Sequence, residues 1–96
     1  MKIELEAQVV RFTRSLAPEP HRLIREAIRQ LERDEGDIRA LEGELEGFYR
    51  LRAGRYRIIF FYRITNRRRT IRCVYAAPRH LVYEVFAQHM HHFLQP

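Results

Sequence analysis

Between Phe48 and Ala77 the chain alternates polar and apolar residues in three closely spaced runs, and nothing else in it limits the fold as strongly. Alternation at a period of two turns one set of side chains toward a core and the other set to the opposite face of a sheet. The runs predict strands over roughly Phe48–Ala53, Arg55–Thr65 and Thr70–Ala77. Ala53-Gly54 permits a tight turn between the first two, because glycine accepts positive φ, and Asn66 marks the second turn. Strands joined by turns this short form an antiparallel meander. Pro78 closes the last of them.

The segments around the meander read differently. Lys2 to Glu6 alternates and predicts a short first strand. Val9, Phe12 or Thr13, and Leu16 recur at helical spacing, predicting a helix from about Ala7 to Leu16. Ala17-Pro18-Glu19-Pro20 breaks it and opens a second helix, since proline and an acid both suit a first helical turn. Leu23, Ile24, Ala27, Ile28 and Leu31 form its apolar stripe, and Gly36 is its expected stop. Asp37 to Gly47 reads as an acidic connection. After Pro78, residues from His80 to His92 predict a terminal helix, with Leu81, Val85 and Phe86 or Gln88 on one side. The expected architecture is α+β: a short N-terminal strand, two helices packed on a mainly antiparallel four-stranded sheet, and a short C-terminal helix over about 80–92.

Ninety-six residues suit one domain, 1–96, with a single modest core. A hydrophobic content of 46% with 11% aromatics argues against disorder despite the charge. The lone cysteine, Cys73, cannot form an internal disulfide, which fits a reducing compartment. Met1-Lys2-Ile3-Glu4-Leu5-Glu6 lacks the apolar stretch of a signal peptide, and the longest apolar run, Ile58 to Tyr62, is too short to span a bilayer. A cytoplasmic protein that does not enter the membrane is expected.

Charge then bears on function. Of the 18 basic residues, 17 are arginine. Residues 1–46 hold 8 basic and 11 acidic residues, whereas residues 47–96 hold ten arginines and one acid, Glu84. In the basic half the arginines interleave with apolar residues, as in Phe48-Tyr49-Arg50-Leu51-Arg52 and Tyr56-Arg57-Ile58. A sheet face carrying guanidinium groups with few carboxylates suits phosphate, above all nucleic acid. The planar guanidinium fork grips phosphate oxygens two at a time and stacks on bases.

Arg50 and Arg52 share one strand face, and Arg55 and Arg57 share a face of the next strand, so hairpin geometry can gather Arg50, Arg52 and Arg57. The other reading is a solvated sheet face with scattered arginines. Arg67-Arg68-Arg69 falls at the tip of the second hairpin. There it either holds a nucleic-acid backbone or keeps an exposed hairpin end soluble. Arg79, His80 and Tyr83 lie within five residues, supplying a phosphate anchor, an imidazole and a phenol. These are the parts that phosphodiester transesterification needs: base, acid and a stabiliser of phosphorane-like charge. Tyr83 equally suits a core. His89 and His92 are spaced to share a helix face near His91, but no cysteine lies nearby and no carboxylate follows Glu84, so no metal site is assigned. No Gly-rich phosphate loop, HExxH or GxSxG motif is present.

These features together resemble the RelE/ParE toxin superfamily of toxin–antitoxin modules. The resemblance runs from Lys2 to about Tyr83. It is most specific in Leu41-Glu42-Gly43 followed by Gly47-Phe48-Tyr49-Arg50-Leu51-Arg52-Ala53-Gly54-Arg55-Tyr56-Arg57-Ile58-Ile59-Phe60, and again in Tyr75-Ala76-Ala77-Pro78-Arg79-His80-Leu81-Val82-Tyr83. It implies the toxin of a type II module. In the RelE branch that is an endoribonuclease cutting messenger RNA in the ribosome by attack of the 2′-hydroxyl on the adjacent phosphate, without metal or cofactor. The ParE branch shares the fold and inhibits DNA gyrase. A third reading is a catalytically inactive, antitoxin-bound nucleic-acid-binding protein.

By motif position, the resemblance puts Arg50 and Arg52 where the family often has lysines beside the scissile phosphate. Arg57 stands at the phosphate-stabilising arginine, Arg79 at the leaving-group side, and Tyr83 at the nucleotide-positioning tyrosine. Arg55, Arg67, Arg68 and Arg69 join the expected phosphate contacts. Arginine stays protonated and cannot serve as general base, which leaves His80 or Tyr83 for that role. The implied partners are a cognate antitoxin, the ribosome with messenger RNA, and operator DNA only through the antitoxin complex.

Overall fold

The leading alternating segment forms strand β1 (Lys2–Leu5) in a computed structural model that describes residues 1–89. Helices α1 (Ala7–Ser15) and α2 (Pro18–Glu32) follow, then a short strand β2 (Ile38–Ala40) and a 3-10 turn at Gly43–Leu45. The meander comprises β3 (Tyr49–Ala53), β4 (Tyr56–Thr65) and β5 (Arg68–Pro78), and the last described element is helix α3 (Val82–His89). The strands form one five-stranded sheet in the order β1-β5-β4-β3-β2. β1 runs parallel to β5, and every other neighbouring pair is antiparallel.

The α+β class and the meander match the sequence expectation, with three differences. A fifth strand is present because Ile38, Arg39 and Ala40 pair with Leu51, Arg50 and Tyr49 inside the supposed acidic connection. Three residues are too few for periodicity to register. The terminal helix begins at Val82 rather than His80, after a turn in which the Leu81 N–H donates to the Pro78 carbonyl at 3.0 Å.

Helix α2 also ends ahead of its expected stop. Asp34 takes a positive φ of 56°. The Asp34 N–H donates to the Leu31 carbonyl and the Glu35 N–H to the Gln30 carbonyl, each at 2.9 Å. Paired bonds of this kind close a helix with a left-handed residue just past its end, here an aspartate instead of glycine. Gly36, with φ +112°, serves the following turn and backs onto Leu51, whose Cδ1 would lie 3.0 Å from an added Cβ.

The sheet has two covered faces. Against the first pack α1 and α2, burying Val9, Ile24, Ala27 and Leu31 on Leu51, Ile58, Phe60, Ile71 and Cys73. Against the second packs α3, whose Val82 and Phe86 join Phe48, Ile59, Val74 and Ala77. A bulge makes the second core possible. Ile59 pairs with Tyr75 and Phe60 with Cys73, so Val74 is the extra residue, and Val74 and Tyr75 both serve the α3 side. Beyond the end of β1 the carboxamide of Gln8 substitutes for a missing strand. Its Nε2 donates to the Ala76 carbonyl and its Oε1 accepts from the Ala76 N–H, both at 2.8 Å. Among the described residues no helix is long and apolar enough to cross a membrane.

Cys73 lies in the first core with no exposed surface, and burial pushes its thiol from 9.0 up to about 12. The folded chain therefore holds a proton that the unfolded chain releases. The stability tied to this group is fully present below pH 9.0 and is lost progressively as pH rises toward about 12. Iodoacetamide at about pH 8.5 should label Cys73 no faster than the chain opens, whereas an exposed thiol with an ordinary pKa would react directly. Rapid labelling of the native protein would contradict this burial.

Candidate nucleic-acid interface

The register of the sheet assembles the arginines on the α3 side. Arg52 pairs with Arg57 across β3 and β4, and Arg39 pairs with Arg50 across β2 and β3. Like charges directly opposite one another destabilise a sheet, so this end of the face carries a standing electrostatic cost. Arg79 is tied in by its backbone N–H, which donates to the Arg55 carbonyl at 2.9 Å, while its side chain stays exposed.

Arg57 is the centre of the group. Its guanidinium is lowered from its ordinary pKa first by burial, and then by Arg50, Arg52 and Arg79, with Tyr83 acting in the opposite direction. Geometry gathers the same residues: Arg52 lies opposite Arg57, Arg50 and Tyr83 line one cleft, and Arg52 and Arg79 line another. Arginine remains charged under such a shift, so Arg57 is a fixed cation and no proton carrier. Arg57 is more enclosed than strand alternation implies. It is 9% exposed, and its Nη1 donates to the carbonyls of Gly54 at 2.8 Å and Tyr56 at 2.9 Å. The guanidinium is thereby fixed to the β3–β4 turn. The turn is a two-residue connection whose first residue, Gly54, has φ +62°. A side chain at Gly54 would meet Leu23 of α2, whose Cδ2 would lie 2.6 Å from the Cβ.

Arg50 and Arg52 are not the unneutralised pair that the sequence suggests. Asp37, just ahead of β2, holds Arg50 Nη1 at 3.1 Å and stands 3.8 Å from Arg52 Nη1. Sequence reading passed over both Asp37 and Arg39. The signal was present in the spacing Asp37, Arg39, which is that of two same-face residues on a strand, but the strand itself was unrecognised.

Two open clefts border the cluster. One, about 660 Å³, is lined by Arg39, Leu41, Glu42, Leu45, Arg50 and Tyr83. The other, about 640 Å³, is lined by Arg52, Arg55, Tyr56, Pro78, Arg79 and His80. The structure thus brings Arg50, Arg52, Arg57, Arg79 and Tyr83 together, adds Arg39, and sets Arg55 and His80 at the border. It separates His80 from Tyr83, which open onto different clefts.

Arg67, Arg68 and Arg69 stand apart. Arg67 lies in the β4–β5 turn and Arg68 and Arg69 open β5, at the far end of the sheet and roughly 23–33 Å from Arg57 at about 3.3 Å per strand residue. Asn66 and Arg67 supply its positive φ values, 52° and 65°. Arg69 faces the helix side, with its guanidinium 4.0 Å from the Tyr62 ring centroid and 3.9 Å from Asp34. Tyr62 donates to Asp34 at 3.1 Å, and burial followed by Asp34 raises its phenol above the usual range. Arg69 therefore fastens the hairpin to the end of α2. Among the described residues no group of three or more His, Cys, Asp or Glu side chains is arranged to hold a metal ion. His91, His92 and the side chain of His89 lie outside the described residues.

No protein-family model matches this chain, and no curated sequence does. Solved structures do. The archaeal RelE–RelB complex from Pyrococcus horikoshii OT3 contains a chain 30% identical over 81% of this one and 93% of its own length, with a TM-score of 0.61. A YoeB/ParE toxin from Agrobacterium tumefaciens is 15% identical, covers 82% of this chain and 99% of its own, and has a TM-score of 0.65. The RelB–RelE antitoxin–toxin complex from Methanococcus jannaschii gives 18%, 86% and 98%, with a TM-score of 0.62. Each of these chains shares its fold with this one over most of its own length. The chain belongs to the RelE/ParE toxin superfamily.

Proposed function

We propose that this protein is the toxin of a type II toxin–antitoxin module and cleaves messenger RNA on the ribosome by metal-independent transesterification. The observation that carries the reading is the gathering of Arg50, Arg52 and Arg57 on the α3 side of the sheet, beside Arg79 after β5 and Tyr83 on α3. In the reaction the 2′-hydroxyl loses its proton, its oxygen bonds to the adjacent phosphorus, and the bond from phosphorus to the 5′-oxygen breaks. Charge grows on the phosphate oxygens during this step, and pre-placed guanidinium groups stabilise it without having to reorganise. Arg57, fixed to the turn carbonyls, is the phosphate stabiliser, and the exposed Arg79 serves the leaving oxygen. Arg50, Arg52 and Arg55 hold the flanking backbone, with the distal Arg67 and Arg68 as outlying phosphate contacts. Tyr83 positions the nucleotide. The proton acceptor is His80 or Tyr83, since no lysine stands at positions 50 and 52.

The partner is read as a cognate antitoxin of the RelB kind, as in the archaeal complexes. An acidic or amphipathic segment of it would cover the arginine face or displace the terminal helix. Operator DNA would be reached only through that complex, and the site of action is the cytoplasm.

Primer extension on cellular messages after induction tests the reading: cuts inside translated codons are expected, and they should persist with chelator present. Gyrase-dependent DNA breakage with intact messages would favour the ParE-like activity instead. Binding to single-stranded RNA should weaken steeply with salt. With three to five phosphate contacts, log affinity should fall by roughly 0.7 per contact for each tenfold rise in salt. Binding that hardly changes with salt would exclude a phosphate-directed face.

A further inference from the structure

Asp37 takes no part in the chemistry above, yet it is bonded to two of the arginines that chemistry requires. Its Oδ1 accepts from Arg50 Nη1 at 3.1 Å, and its Oδ2 lies 3.8 Å from Arg52 Nη1. Its backbone carbonyl accepts from Arg50 Nη1 and from the Arg52 backbone N–H, each at 3.0 Å. One planar anion therefore offers one oxygen to each of two guanidinium groups, as the two free oxygens of a phosphodiester would. The Arg50 side chain is 13% exposed and that of Asp37 53%, so the carboxylate stands at the solvent side of the pair.

We propose that Asp37 is a positioning residue that occupies the place of an RNA phosphate in the free protein, aligning Arg50 and Arg52 and yielding them when RNA binds. The inference rests on the RNA-directed reading of this face. Arg39 opposite Arg50 and Arg52 opposite Arg57 leave this end of the sheet in need of an anion. A carboxylate and a phosphodiester each carry a single negative charge, so exchanging them leaves the local balance unchanged. The side chains are set in advance, which saves ordering entropy, while affinity is held below what unpaired arginines would give.

Asp37→Asn is the direct test, because the strand bonds use the residue's carbonyl and survive the change. The probe is a single-stranded RNA oligonucleotide made uncleavable by 2′-O-methylation. The variant should bind about threefold to tenfold more tightly at low salt, the range of a modest ion pair. Its salt dependence should steepen by roughly 0.7, one contact no longer offset by a liberated carboxylate. Asp37→Glu should keep the unsubstituted behaviour, and Asp37→Asn should have no effect where Arg50 and Arg52 are both replaced by glutamine. A folded Asp37→Asn protein that binds equally or less tightly overturns the proposal. Should that variant fail to fold, the Asp37 carboxyl carbon resonance of the unsubstituted protein decides the matter: it should shift on RNA saturation, and an unmoved resonance overturns the proposal. Unsubstituted protein that binds no RNA would overturn the RNA reading, and this inference with it. Salt-sensitive binding without a gain in the variant would overturn this inference alone.

Discussion

Arg79→Ala should lower ribosome-dependent RNA cleavage about 10²–10³-fold and leave the unfolding free energy within about 0.5 kcal/mol of its starting value. The Arg79 side chain is exposed, and among the described residues it makes no hydrogen bond or ion pair, so its removal leaves no buried group stranded. It nevertheless borders the cluster, sharing a cleft with Arg52 and held by its backbone to Arg55. Arg57→Ala should behave differently. It should also abolish cleavage, but with a stability loss of about 1–3 kcal/mol, because the Gly54 and Tyr56 carbonyls lose their guanidinium donor. Cleavage rates set beside urea unfolding curves separate the two cases. Near-normal cleavage by Arg79→Ala would remove it from the site.

Phe86→Ala should have the largest effect on stability, about 3–5 kcal/mol. Phe86 is fully buried and meets Phe48 edge-on, ring centroids 5.0 Å apart, with Tyr75 at 6.0 Å. It is the larger of the two α3 side chains fully buried against the sheet, and Tyr83 rides on the same helix. The variant should therefore lose cleavage as well as stability, through displacement of Tyr83. Urea unfolding with hydrogen exchange across α3 would follow both. A loss below about 1 kcal/mol would mean that the α3 core adds little to the fold.

The strand pattern carried most of the fold in the sequence. Phe48 to Ala77 alternates strongly enough to define three strands, and the Leu23 to Leu31 stripe defines the helix that covers them. What escaped was anything that depends on pairing. Ile38-Arg39-Ala40 is a strand only because β3 offers it an edge, and its residues have no periodicity of their own. The site was legible to the same depth. Alternation put Arg50, Arg52 and Arg57 on one face, but the burial of Arg57 arises from two turn carbonyls that no local pattern announces. Asp37 reads as one acid among several until the register sets it against Arg50. Arg67, Arg68 and Arg69 were legible as the tip of the second hairpin, and β4 carries them to the opposite end of the sheet. A bulge at Val74 is likewise invisible in a chain read as a simple alternation.

The opposed arginines of the three-strand edge make anion affinity and fold stability two readings of one quantity. Repulsion between Arg39 and Arg50, and between Arg52 and Arg57, is offset only in part by the one Asp37 carboxylate, and a polyanion offsets more of it. Whatever binds there raises the stability of the whole chain by linkage, in proportion to how tightly it binds. Substitutions that relieve the repulsion and leave the bonds of Arg57 to the turn carbonyls intact would yield a sturdier protein with a weaker grip on phosphate, so selection for robustness and selection for binding pull on this edge in opposite directions.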